Sequence, residues 1–167
     1  VISNKYDYEE IKRLEDFYNW NIYIWDNFYA SDYCEPRVTL DKYLPFTGNI
    51  PSDISGIMIN ATGKINLDLL ILRLYSLGFQ RNDFEISDFL SNELHPAFKS
   101  ISKYFTFDGS LIKTDDCEYV NDILLNWIHP IKNEIYPYLH LLKFLMQNTG
   151  SRDSNFIKRI RLKERES

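Results

Sequence analysis

The chain has 167 residues, 44% hydrophobic and 26% charged, with a formal charge of −5. That balance fits a single globular domain able to bury roughly 70% of its unfolded surface without staples. From Arg152 to Ser167 six Lys/Arg stand against three Asp/Glu, a net +3 that leaves −8 on residues 1–151. An acidic body disfavours nucleic-acid phosphates and anionic lipid and attracts basic proteins.

No stretch approaches the roughly 20 apolar residues of a membrane span, because Leu67–Leu77 and Tyr138–Met146 are short and contain Arg73 and Lys143. No membrane association is expected. The opening residues lack a basic n-region and an apolar h-region, so a cytoplasmic protein is expected. Cys34 and Cys117 are too few for a disulfide framework and read as buried thiols.

Between Tyr6 and Tyr33 ten residues are aromatic, seven acidic and two basic. Ile11, Leu14, Tyr18, Ile22, Trp25 and Tyr29 recur at steps of three and four, which predicts one long helix with that stripe in the core. Trp20, Tyr23 and Ile24 fall outside the stripe. The competing assignment is a strand over Trp20–Trp25, where aromatic and β-branched residues alternate with Asn21, Tyr23 and Trp25. Pro36, Pro45, Gly48, Pro51 and Gly56 then mark residues 34–56 as an irregular connection, long enough to suggest a functional loop.

Gly56–Asn60 and Lys64–Asn66 are predicted to pair as a small hairpin. Leu67–Leu77 reads as a buried helix with Asn66 as N-cap and Gly78 as C-terminal stop. Shorter helices follow at Ser87–Leu94 and Pro96–Tyr104, and Asp108-Gly109 between alternating apolar residues signals a second hairpin over Phe105–Ile112. Thr114 caps a helix that turns Val120, Ile123, Leu124 and Trp127 inward and ends at Pro130. A last core helix is placed over Pro137–Gln147, and Ser154–Arg165 is a basic helix or frayed tail. The expected fold is mainly α, at the border of α+β. It is a single-domain bundle of five to six helices with one or two small β-hairpins, an acidic domain over residues 1–151 and a basic tail over 152–167.

Catalytic signatures are missing. There is no Gly-rich phosphate loop, no Gly-x-Ser-x-Gly elbow and no His-Glu-x-x-His. His95, His129 and His140 match no local metal spacing, and two of them precede prolines near helix ends, where a structural role suffices. No metal or cofactor is implied, and the chain reads as a non-enzyme. Asp115, Glu118 and Asp122 form an acidic strip on the predicted helix after Thr114, partly explained by the helix dipole. The tail carries Lys158, Arg159, Arg161, Lys163 and Arg165 with Phe156 as its one aromatic, so nucleic acid is a partner only through that segment.

These features favour a non-enzymatic binding protein in which an aromatic anchor ringed by carboxylates blocks a cationic target. The expected contact residues are Trp20, Tyr23, Asp16, Asp26, Asp115, Glu118 and Asp122. In physical character, though in no motif, the chain resembles the bacterial immunity proteins, small acidic inhibitors of nuclease toxins. That resemblance implies occlusion of a basic toxin's active site or exosite. Two alternatives remain: a nucleic-acid or scaffold-binding regulator using the tail, and an enzyme built from a histidine and a carboxylate.

Overall fold

The computed structural model describes residues 6–30, 36–44, 54–80 and 83–148. Among them the chain forms six α-helices and one two-stranded sheet, in the order α1 (Tyr8–Tyr18), β1 (Tyr23–Asp26), β2 (Gly56–Ile59), α2 (Ile65–Gln80), α3 (Ile86–Glu93), α4 (Phe98–Ile101), α5 (Cys117–Asn126) and α6 (Pro130–Gln147). The protein is mainly helical with a small β element. The C-terminal tail, Cys34 and part of the 34–56 connection lie outside the described residues.

The first predicted helix is cut short. Asn19 adopts a left-handed conformation (φ 51°, ψ 45°), which asparagine tolerates, and the Trp20 N–H bonds back to the Glu15 carbonyl. The chain then extends, so the strand assignment wins over Tyr23–Asp26. β1 pairs with β2 in parallel, Tyr23 opposite Gly56 and Trp25 opposite Met58. Gly56–Asn60 is therefore not half of a hairpin with Lys64–Asn66, since its partner lies some thirty residues earlier in the chain. Lys64–Asn66 instead leads into α2.

Helix α2 begins at Ile65, and its N-terminus is capped from two directions. Glu134 of α6 accepts from the backbone N–H groups of Asn66 (3.1 Å) and Leu67 (2.7 Å), and Asp68 accepts from Thr62 Oγ1 (2.7 Å) and the Thr62 and Gly63 N–H groups. Asn66 is thus not the cap, and its side chain donates to Glu134 at 2.8 Å. Gly78 does not stop the helix either. It is buried inside α2, where a Cβ would run into the Tyr43 carbonyl, so the glycine permits close approach.

The Asp108-Gly109 turn exists, with Gly109 at φ 63°, but no hairpin ladder flanks it among the described residues. The backbone groups before the turn are taken by the irregular segment from Arg37 to Asp41. Leu40 N–H donates to the Phe105 carbonyl at 2.7 Å, and Phe107 N–H donates to Asp41 Oδ2 at 2.9 Å. The chain from Arg37 to Tyr43 carries Arg37, Val38, Thr39, Leu40 and Tyr43 through the core rather than over the surface. The fully buried Arg37 donates to the Tyr104 carbonyl, the Tyr138 hydroxyl and, at 2.6 Å, the Thr106 carbonyl. Backbone carbonyls take the place of water around the guanidinium.

α5 ends at Asn126, and α6 begins at Pro130, seven residues before the expected start at Pro137. His129 in extended conformation provides the N-cap, accepting the Ile131 N–H at Nδ1 (3.2 Å), and proline suits the first helical position. Pro137 lies inside α6 on its exposed side. The carbonyl it leaves unpaired belongs to the exposed Asn133 and can meet water. The core is formed by α2, α3, α5 and α6 with α4 and the Arg37–Tyr43 segment, lined by Leu74, Leu90, Phe98, Ile123, Ile135, Leu139 and Leu142.

Candidate functional site

Helix α1 is amphipathic yet contributes no fully buried residue. Asp7 caps it, accepting the Glu9 and Glu10 N–H groups at 3.0 and 3.3 Å, with both acids in the first turn where the dipole favours them. Glu15 fixes α1 to the sheet. Its Oε1 accepts from Ile22 N–H (2.9 Å) and Ser55 Oγ (3.1 Å), in the segments leading into β1 and β2, and its Oε2 accepts from Lys12 Nζ (2.9 Å). The Ile22 bond chiefly, then those from Lys12 and Ser55, hold this carboxyl below the usual range.

This clamp joins two elements that each carry uncovered aromatic residues. On the α1 end, Phe17 is 78% exposed, Trp20 is 67% exposed and stacks on Tyr18 with centroids 5.2 Å apart, and Phe17 meets Tyr18 edge-on at 4.8 Å. On the outer face of the sheet, Tyr23 (63%), Trp25 (59%) and Met58 (50%) share one side by strand alternation and parallel register. The Tyr23 ring lies over Gly56, where a Cβ would approach its Cε1 to 2.7 Å, so the glycine lets the ring lie against the sheet.

The inner face carries Ile24 and Asp26, both buried. Asp26 therefore cannot be a surface contact residue, and that expectation is corrected. Its carboxylate accepts from Tyr43 OH (2.5 Å), Tyr75 OH (3.0 Å) and Phe28 N–H (2.6 Å), and Tyr6 also bonds to it. Burial first, and the bonded Asp26 second, drive the Tyr43 hydroxyl far above its ordinary ionisation range. The cluster ties β1 to α2 and sets the direction in which Tyr23 and Trp25 point.

The proposed core stripe is corrected by the same geometry. Tyr29 is buried, but Leu14, Tyr18 and Trp25 are exposed at 38%, 50% and 59%. Trp20, Tyr23 and Asp16 stay exposed, as a contact role requires. Asp7, Glu9 and Asp16 have no ion-pair partner among the described residues, whereas Glu10 and Glu15 pair with Arg13 and Lys12.

Asp115, Glu118 and Asp122 lie on α5 and the turn that precedes it. Asp115 lies in the 3-10 turn before α5, Glu118 is exposed in its first turn, and Asp122 accepts from Asn126 at 2.7 Å. α5 packs on α6 and α4. Phe17, Tyr18, Trp25 and Met58 are the surface residues missed in the sequence. The alternation from Tyr23 to Asp26 was the signal for Trp25.

The histidines are dispersed. His95 and His129 flank Trp127, with ring centroids 6.3 and 5.1 Å from it, and each accepts a backbone N–H at Nδ1. His140 packs on Tyr136 along α6, about 16 Å from His129 at the helical rise. No three-histidine site is assembled. No family model, curated protein or solved structure matches the chain. No helix among the described residues is long and apolar enough to cross a membrane.

Proposed function

We propose that the chain is a non-catalytic binding protein that captures a basic protein through the face formed by Phe17, Trp20, Tyr23, Trp25 and Met58. The observation that carries this reading is the exposure of those five side chains, on the end of α1 and on one face of the sheet that Glu15 ties to it. Aromatic and methionine side chains are costly to leave in water and are enriched at the centres of protein interfaces. Asp16, next to Phe17 in the chain and without an ion-pair partner among the described residues, supplies negative charge at the rim of this face. Such a rim accelerates encounter with a cationic surface and discriminates against acidic ones. An immunity-type inhibitor that occludes a nuclease-like toxin is the concrete form this takes, because a nuclease groove is basic.

The experiment compares the full chain with a Trp20→Ala/Tyr23→Ala/Trp25→Ala variant as immobilised bait against extract of the native host. The wild type should retain a basic protein, released as salt shortens the Debye length to roughly 3 Å near 1 M. After purification that protein's nuclease activity should fall stoichiometrically with added wild type and not with the variant. Equal retention by both baits would remove the proposed face.

A further inference from the structure

Helix α2 carries a second uncovered surface of different chemistry. Ile65, Leu69, Leu72, Ser76 and Phe79 follow steps of four, three, four and three, the spacing of a coiled-coil seam, on the side opposite buried Leu67, Leu70, Ile71, Leu74 and Gly78. Exposure along this seam is 76% for Ile65, 59% for Leu69, 50% for Leu72 and 38% for Phe79. A cleft of about 220 Å³ lined by Leu69, Arg73 and His129 joins the seam to the α5–α6 corner, where Ile128 is 97% exposed.

We infer that this seam is the dimer interface of the protein, with α2 packed in parallel against α2 of a second copy. Two observations select that occupant. In a parallel two-fold pair, the residue flanking the seam at one g position meets the residue five places later on the other helix. Here those positions hold Asp68 and Arg73, opposite charges that meet twice by symmetry. Both are already held within their own chain, Asp68 by Thr62 and Gly63 and Arg73 by Glu93, so little side-chain entropy is lost, and each keeps unused bonding capacity. An antiparallel pair overlapping along the seam would set Asp68 beside Tyr75 of the second copy and lose this match.

The second observation is area. Ile65, Leu69, Leu72 and Phe79 expose roughly 300 Å² of apolar side chain at these fractions. A standard interface buries about 800 Å² on each side, a little over half of it apolar. The seam therefore supplies about two-thirds of the apolar share a stable dimer needs. It leaves the aromatic face free, so each dimer presents two copies of it.

Sedimentation equilibrium of the full chain tests the assignment. The mass should approach twice the 19.9 kDa of one chain at about tens of micromolar. Leu69→Glu, on an exposed position, should weaken association at least about 100-fold and leave a monomer with unchanged far-UV circular dichroism. Ser76→Cys in a background lacking Cys34 and Cys117 should form an intermolecular disulfide on mild oxidation, because these side chains meet across a parallel axis. A monomer at every concentration overturns the inference. So does a dimer that survives Leu69→Glu, or one that dissociates on Trp20→Ala, which would place the interface on the aromatic face. A dimer lost on Leu69→Glu but not cross-linked through Ser76→Cys overturns the parallel arrangement.

Discussion

Replacing Asp26 with asparagine changes one oxygen of a buried carboxylate into an NH2 group, in a site where every neighbour is a donor. Tyr43 OH at 2.5 Å, Tyr75 OH at 3.0 Å and Phe28 N–H at 2.6 Å all point at the two oxygens, and Tyr6 adds a fourth bond. Asparagine keeps one acceptor and turns a donor toward at least one of those groups. Hydrogen bonds to a charged acceptor contribute about 1.5–3 kcal/mol each, and an orphaned buried donor costs about 1–3 kcal/mol. Relief of carboxylate desolvation offsets part of this, giving a net destabilisation of about 2–4 kcal/mol. Urea unfolding measures it directly. Tyr75→Phe, costly alone, should cost almost nothing in the Asp26→Asn background, with a coupling energy of at least about 1 kcal/mol. A loss under about 1 kcal/mol, or strict additivity, would refute the assignment of Asp26 as the anchor that orients β1.

Further predictions follow from the same contacts. Gly78→Ala should destabilise by about 2 kcal/mol or more, since the clash with the Tyr43 carbonyl outweighs the gain of up to about 1 kcal/mol in helix propensity; an unchanged urea midpoint would contradict the close approach. Tyr29, Tyr43, Tyr75 and Tyr104 are buried with ionisation pushed upward, by burial first and by Asp26 or Asp116 in addition. Their contribution is complete below about pH 10, where unfolded tyrosines ionise, and declines above it by about 1.4 kcal/mol per pH unit for each phenol. Circular dichroism should show cooperative alkaline unfolding coincident with the rise in phenolate absorbance, and phenolates forming in a still-folded chain would contradict it. His129→Ala should cost about 1 kcal/mol through loss of the α6 cap, and His129→Asn, which retains an acceptor, should recover most of it.

Much of the helical framework was legible. Leu67 to Leu77 was apolar nearly all round because α2 is buried on one side and carries the uncovered seam on the other. The failures share a cause. Trp25 and Tyr18 match a helical stripe as well as they match a strand and a helix end, and only the left-handed Asn19 separates the two. Periodicity cannot report a single residue's φ. The parallel pairing of Tyr23–Asp26 with Gly56–Ile59 spans some thirty residues, beyond the reach of local turn signals. An aspartate at position 26 reads as surface until the phenols that surround it, from three distant places in the chain, are brought together. Trp20 and Tyr23 were recognised because they fitted no core pattern, and their exposure is what connects sequence to the proposed function.

Tryptophan fluorescence tests that connection most directly. Of three tryptophans, Trp20 and Trp25 are exposed and Trp127 is buried. The free protein should emit at long wavelength with strong acrylamide quenching. Titration with the captured basic protein should shift the emission to the blue and protect it from quencher, with half-saturation moving to higher concentration as salt is added. Formation of the complex with unaltered emission and quenching would contradict the account and direct attention to Asp115, Glu118 and Asp122 instead.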